Sequence, residues 1–385
     1  MRILIAGDFC QRYRIDALIR EQRYAEIFDE VRPMVKQADY SIVNFEFPII
    51  VNESYAKPIS KCGPNLKGSI ESILAVKYIG FDCCTLANNH ILDHGYKCCL
   101  GTKEELEKVG IDTVGVGRNT VEAASILYKD IQGERLAIIN CCEHEFSIAT
   151  DDSPGANSLN TIQQYYQIQQ ARKHADYVLV ITHGGHEHFN LPSIRMKETY
   201  RFFIDAGADA VVNHHQHCYS GYETYHRKPI FYGIGNFCFD NPNYRAEEWN
   251  EGFMVELSFT KGNIGFNLHP YTQCSDAPSV KLLDAEAKTI FSNKIESICQ
   301  TIINDRRLKT EVCKYYENWA VSEMSVLEPY MSKVTRKLLS LGLLPRFITG
   351  RKIPQILNHI ECESHRDKLI YALTSKIWKQ YHAKH

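Results

Sequence analysis

The chain has 385 residues, of which 44% are hydrophobic and 11% aromatic; this length holds one full core with room for an appended unit, and the composition excludes disorder as the default state. Lys and Arg number 44 against 46 Asp and Glu, so the formal charge of -2 argues against a polyanion binder taken as a whole. The balance is uneven along the chain: residues 281–385 carry a basic excess of seven, which leaves nine net negative charges on residues 1–280.

The opening MRILIAGDF reads as a buried strand preceded by a single charge. No apolar stretch of about 18 residues follows anywhere, so neither a secretion signal nor a spanning helix is supported, and the expected location is cytoplasmic. YAEIFDEVRPMVKQA, SIESILAVKYIG and KCCLGTKEELEKVG then read as helices, alternating with the strands DYSIVNFE, FDCCTLANN and IDTVGVG. Such alternation is the mark of an α/β sheet. Further on, RLAIINCCE, DYVLVITHGG, DAVVNHH and PIFYGIGNF read as strands, and TIQQYYQIQQARKHA and SIRMKETYRFFIDAG as helices. GFMVELSFTKGNIGFNLHPY has the pattern of a hairpin turning at Lys261, Gly262 and Asn263. From residue 281 the pattern is helical throughout, interrupted around Gly342 to Pro354. The expected organisation is an α/β domain over residues 1–275 and a helical domain over 281–385.

Fourteen cysteines in a chain with no export signal are expected to be reduced. The adjacent pairs Cys83/Cys84, Cys98/Cys99 and Cys141/Cys142 lack the CxxC spacing of a zinc knuckle and suit core packing.

The informative residues fall at strand ends. IAGD stops on Asp8, SIVNFE on Asn44 and Glu46, and CCTLANNH presents Asn88, Asn89, His90 and then Asp93. VLVITHGGHEH supplies His183, His186, Glu187 and His188, and AVVNHHQH supplies His214, His215 and His217. Carboxyl ends of strands in an open α/β sheet line the ligand crevice, so these groups can converge from distant segments. A mixed O and N donor set of Asp, Glu, Asn and His suits a divalent ion such as Mn, Fe, Zn or Mg and not a thiolate zinc site. Taken singly, Asp8 reads equally as a turn or cap residue, Asn89 as an Asx turn, and His186 and His188 as solvated loop residues. For His215 and His217, the i, i+2 spacing on extended backbone points both rings the same way and leaves His214 facing the other side.

As a set, Gly7-Asp8, NFEFP at 44–48, LANNHILDHG at 86–95, HGGHE at 183–187, IDAGADAVVNHHQH at 204–217 and KPIFYGIGNFCFD at 228–240 resemble the CapA family of capsule and poly-γ-glutamate biosynthesis proteins over roughly residues 1–270. That family is similar to the calcineurin-type metallophosphoesterases, which implies a layered sandwich of β-sheets flanked by helices and one or two divalent ions. Carried over position by position, the resemblance implies metal ligands at Asp8, Glu46, Asn89, His183, His215 and His217, with Glu46 in the place of the usual bridging aspartate. It also implies that His90 serves the leaving group, oriented by Asp93, and that Glu187 binds substrate or supports the ligands. Three positions depart from the pattern. Cys10 stands where a His usually follows the first Asp, Gly184 or Gly185 where a Trp is usual, and Asn213 where a Gly commonly precedes the paired histidines.

Arg12, Arg14 and Lys61 are candidates for contacts to an anionic substrate, with solvated loop cations as the equal alternative. The expected function is a metal-dependent hydrolase of surface-polymer biosynthesis, using a metal-activated water on a phosphoester or related bond. The competing reading is a non-enzymatic accessory protein that binds an anionic polymer or glycan in the same cleft, and a weaker third is cleavage of a γ-glutamyl amide. The basic, aromatic-bearing C-terminal helices suit either a cover on the α/β domain or a peripheral contact with a membrane or with capsule machinery. No nucleic-acid motif is present.

Overall fold

The computed structural model describes residues 1–245, 248–261, 263–330, 332–350, 352–361, 365 and 369, with the backbone alone over 321–326 and at 361. Gly262 of the expected turn, and residues 370–385 of the helical segment expected over 355–385, with Tyr371, Trp378 and Tyr381, lie outside these residues. The described chain forms two compact units, Met1–Val312 and Cys313–His385.

The first unit is a layered α/β sandwich built on two sheets. An eight-stranded sheet has Arg2–Cys10 at its centre, with Tyr40–Phe45, Cys83–Thr85 and Asp112–Val114 laid parallel to one side in that order. On its other side, Glu251–Thr260, Asn263–Gln273 and Val280–Leu282 run antiparallel to their neighbours. A six-stranded sheet runs in the order Tyr222–Tyr225, Lys228–Phe231, Ala210–His214, Tyr177–His183, Glu134–Cys142, Leu127–Ile131.

Side-chain alternation along each strand builds the layers. Ile3, Ile5, Ile42 and Cys83 of the first sheet meet Ile138, Leu179, Ile181 and Val212 of the second in a core between the sheets. The alternate residues Leu4, Ala6, Val43 and Cys84 face outward against Ile15, Phe28, Ile73, Val76 and Leu106 of the covering helices. On the far face, Ala137, Ile139, Val178, Val180 and Val211 pack on Ile168, Tyr200, Phe203 and Leu308. The cysteine pair 83/84 is thus divided between two cores, as the alternation requires, and the described cysteines are free thiols.

Several elements differ from their sequence reading, among them IDTVGVG, which is divided between Asp112–Val114 of the eight-stranded sheet and Val116–Gly117, paired with Gly155–Ala156. The helix expected over YAEIFDEVRPMVKQA is broken into Tyr24–Phe28 and Arg32–Gln37, because Pro33 lacks the N–H that a continuous helix needs and instead takes a first-turn position. PIFYGIGNF is two strands and not one: Lys228–Phe231 pairs in the second sheet and Asn236–Phe239 in the first. The chain crosses between sheets at Gly233 to Gly235, where Gly235 has φ +78°. This crossing presses on Gly7, where an added Cβ would lie 1.9 Å from the Gly235 carbonyl oxygen.

Helix Ala285–Ile303 belongs to the first unit, with Phe291, Ile295 and Cys299 in the core between the sheets. The second unit contains the helices Lys333–Ser340 and Ile353–Glu361. Within it, both Glu328 carboxylate oxygens accept from the backbone N–H groups of Phe347 and Ile348. Among the described residues no helix is long and apolar enough to cross a membrane.

Candidate metal centre

The parallel strands of both sheets end on one side of the sandwich, and the register places their last polar residues side by side. Asp8 is level with Asn44 and with Asn236, and His183 with His214. Asp8 lies at a register shift in both of its pairings, a bulge that re-aims its side chain out of the pleat. Its Oδ1 accepts from Asn44 Nδ2 at 2.7 Å and its Oδ2 from the His215 backbone N–H at 3.2 Å, which ties the two sheets together at the site.

Glu46, one residue beyond the strand Tyr40–Phe45, is wholly buried, and neither of its carboxylate oxygens has a hydrogen-bond partner among the described residues. Three imidazole nitrogens surround its Oε1: His217 Nε2 at 3.7 Å, His183 Nε2 at 3.9 Å and His90 Nε2 at 4.0 Å. Burial, and then the neighbouring Asp8 charge, push the Glu46 carboxyl well above the usual carboxylate range. Burial in turn holds His183 well below its ordinary value and lowers His217 to about 4, so both rings stand neutral, the form that ligates metal. An ionised carboxylate without a partner in a dry cavity is costly, and a divalent cation removes that cost.

Two groups of donor atoms lie close enough to share an ion each: Glu46, His183 and His215; and Asp8, Glu46 and His217. Glu46 is common to both, the place of a bridging carboxylate. Asn89 joins the first group through Oδ1, 3.0 Å from His183 Nε2, while His215 Nδ1 lies 3.1 Å from the same nitrogen. Nitrogens that share an ion at about 2.1 Å sit roughly 3 to 3.5 Å apart, so the spacing of His183 and His215 is compatible with a shared ion. All six residues named as ligands from the sequence are therefore brought together.

The pairing of His215 with His217 has a different cause from the one expected. The strand ends at His214, and His215 and His217 have φ of 93° and 56°. Left-handed turns, and not strand alternation, bring their ring centroids to 6.2 Å. His214 does face away, with Nε2 on the Ala6 carbonyl at 3.1 Å.

His90 borders the ligands and is held from behind. Its Nδ1 donates to Asp93 Oδ2 at 2.6 Å, and Asp93 also accepts from the Leu66 N–H and from the buried Lys61 ammonium. Lys61 Nζ is 3.0 Å from His90 Nδ1, so this lysine is part of the His90 support and not a free anion contact. Arg14 is likewise committed elsewhere: it forms a forked pair with Asp240 and donates to the carbonyls of Cys274, Ser275 and Asp276. Arg12 lies over the Tyr13 ring at 4.8 Å. Glu187 is exposed and belongs to neither donor group. Cys10 is a core residue whose thiol is pushed up by burial and then by Glu46, and it belongs to neither donor group.

Several residues to which the sequence reading gives no ligand role shape the site. Asn44 Nδ2 also lies 3.3 Å from His183 Nδ1. Asn236 Oδ1 accepts from His217 Nδ1 at 2.9 Å, while its Nδ2 donates to the His217 and Trp249 carbonyls. Trp249 packs on the His217 ring at 4.6 Å and on His188 at 5.5 Å. Glu145, just past the strand Glu134–Cys142, accepts from Asn89 Nδ2 and approaches His215. A carboxylate beyond an apolar strand is the signal that reveals the other ligands, so Glu145 is within reach of the same reasoning; Trp249 carries no such signal. Asn213, the departure next to the histidines, accepts from the Thr182 and Tyr200 hydroxyls and donates to the Gly184 and Tyr232 carbonyls, which pins the His183 loop to the His214 strand.

Compared with known proteins, residues 2–241 match the family described as bacterial capsule synthesis protein PGA_cap. The chain is 33% identical over 256 residues to the capsule biosynthesis protein CapA of Bacillus anthracis, covering 64% of this chain and 62% of that protein. It is 31% identical over 291 residues to the PGA biosynthesis protein CapA of Bacillus subtilis (strain 168), covering 74% and 75%. A "Probable polyglutamine synthesis accessory protein" of Mycobacterium tuberculosis is 27% identical over 232 residues, covering 57% of this chain and 60% of that one. The match thus spans a little under two thirds of the Bacillus anthracis protein and three quarters of the Bacillus subtilis one. Among solved structures, that of a hypothetical protein from Thermus thermophilus aligns with a TM-score of 0.45 and 15% identity, covering 71% of this chain and 99% of that chain.

Proposed function

The chain belongs to the bacterial capsule synthesis protein PGA_cap family, and from that premise we propose that it acts in the biosynthesis of a capsule or poly-γ-glutamate-type surface polymer as a metal-dependent hydrolase of phosphoester-like bonds. The observation that carries the hydrolase reading is the buried, partnerless Glu46 carboxylate ringed by imidazoles and shared by two donor groups. One or two divalent ions held there supply a Lewis acid and a water activated at neutral pH. The chain's own residues do the rest. Asp8, Glu46, Asn89, His183, His215 and His217 hold the ions; Asp93 and Lys61 fix the His90 ring; and His90, with Nε2 toward the centre, delivers a proton to the leaving group.

His90 is the discriminating residue because it borders the ligands without belonging to either donor group. Purified protein is expected to hold a divalent ion and to hydrolyse phosphoesters when supplied with Mn. His90→Ala keeps the ion and the fold and loses turnover roughly 10²-fold or more, the usual contribution of a positioned acid. Protein that holds no ion after preparation in metal-replete medium contradicts this reading.

The description of the Mycobacterium tuberculosis relative as an accessory protein favours a second reading, in which the cleft binds an anionic polymer without cleaving it. On that reading His90→Ala leaves polymer binding intact, and no turnover is found for the wild type.

A further inference from the structure

We propose that Glu145 is a positioning residue for one ion of the centre, its two carboxylate oxygens holding Asn89 and His215 so that each turns its free donor atom toward Glu46 and His183. The proposal rests on the metal-centre reading above. Glu145 Oε2 accepts from Asn89 Nδ2 at 3.2 Å. An amide has a single oxygen, so fixing the nitrogen outward leaves Asn89 Oδ1 facing inward, 3.0 Å from His183 Nε2. Glu145 Oε1 lies 3.6 Å from His215 Nε2, on the outer side of a ring whose Nδ1 faces His183 at 3.1 Å. Metal-bound imidazoles characteristically turn their second N–H to a carboxylate or carbonyl, and loss of that partner weakens metal binding roughly 10–100-fold.

The second donor group has a different holder. His217 donates its Nδ1–H to Asn236 Oδ1, a neutral, buried amide that is itself fixed by two backbone carbonyls. One ion is therefore backed by a carboxyl group with 36% of its side chain exposed, and the other by a buried amide. Neither donor group includes Glu145, so its effect on the ion passes through Asn89 and His215. Replacing Glu145 acts on one ion and spares the other. Glu143, two residues earlier, provides the control: its carboxylate pairs with Arg195 and accepts from the Gly185 N–H, and its hydrogen bond to the His183 carbonyl comes from its own backbone N–H, which a side-chain substitution keeps.

The test is titration of the chelated, full-length protein with Mn, following free ion by electron paramagnetic resonance, for wild type, Glu145→Gln and Glu143→Gln. Glutamine keeps the size but offers one acceptor in place of two and carries no charge. Glu145→Gln is expected to weaken one bound ion roughly 10–100-fold and leave any other at its wild-type constant, while Glu143→Gln binds as wild type. Thermal unfolding without ions is expected to be unchanged in both variants, which separates lost positioning from lost structure. Unchanged ion constants in Glu145→Gln overturn the assignment of Glu145 alone, as does an equal loss in Glu143→Gln, which would mark a general charge effect. Wild-type protein that takes up no ion overturns the metal-centre reading, and the role of Glu145 with it.

Discussion

At the scale of single residues, the centre is a balance between charge and burial. Glu46 and Asp8 are both fully buried acids a few ångströms apart, an arrangement that costs stability unless a cation joins them. Glu46→Gln removes that cost and also removes the shared ligand. The variant is therefore expected to melt at or above the temperature of the ion-free wild type, yet to lose the rise in melting temperature that Mn confers, about 2.7 kcal/mol for a ligand at 100 times its dissociation constant. Differential scanning calorimetry with and without Mn checks both halves, and a variant still stabilised by Mn as the wild type is would remove Glu46 from the ligand set. The six residues read as ligands are legible as candidates because each lies at or just past an apolar strand, and the family resemblance singles them out from the other polar residues there. The engagement of Arg14 is not, because its partner Asp240 is 226 residues away in sequence and nothing local announces it. Lys61 is legible as a loop cation, but its burial against Asp93 and His90 is not.

At the scale of elements, glycine and proline decide where the pattern breaks. Pro33 is visible in the sequence and the helix does break there, whereas the division of PIFYGIGNF between two sheets is hidden, since a strand period of two reads the same in either sheet. The structure shows the device that makes the crossing possible: the strand bearing Asp8 and the segment ending at Gly235 meet with no room for a side chain between them. Gly7→Ala is therefore expected to cost about 1–3 kcal/mol or more, the range for overpacking against rigid backbone, and to displace Asp8, the next residue. Denaturant unfolding gives the cost and ion uptake gives the displacement; a variant unchanged in both contradicts the close approach. His215 and His217 show the same limit on sequence reasoning. Strand alternation predicts their proximity, yet it arises from two residues at positive φ that no periodicity encodes.

For the whole molecule, the centre draws its ligands from both sheets and from residues as distant as Asp8 and His217, all within Met1–Val312. A chain ended after Tyr316, one turn beyond Val312, is expected to fold cooperatively and to bind Mn with the constants of the full chain. Loss of ion uptake in that shorter chain, measured by the same titration, would place part of the site's support in the second unit. Residue order is enough to specify the layered α/β class, the family, the strand ends on which donors gather and the free state of the described thiols, because apolar period, turn residues and donor types are properties of short segments. Only the folded arrangement specifies which donors lie close enough to share an ion, that Asn236 and Glu145 stand behind them, that Lys61 and Arg14 are already paired, and that Glu46 has no hydrogen-bond partner among the described residues. Those are facts of distance between segments brought together only when two sheets close over a common core, and a one-dimensional pattern carries no measure of distance.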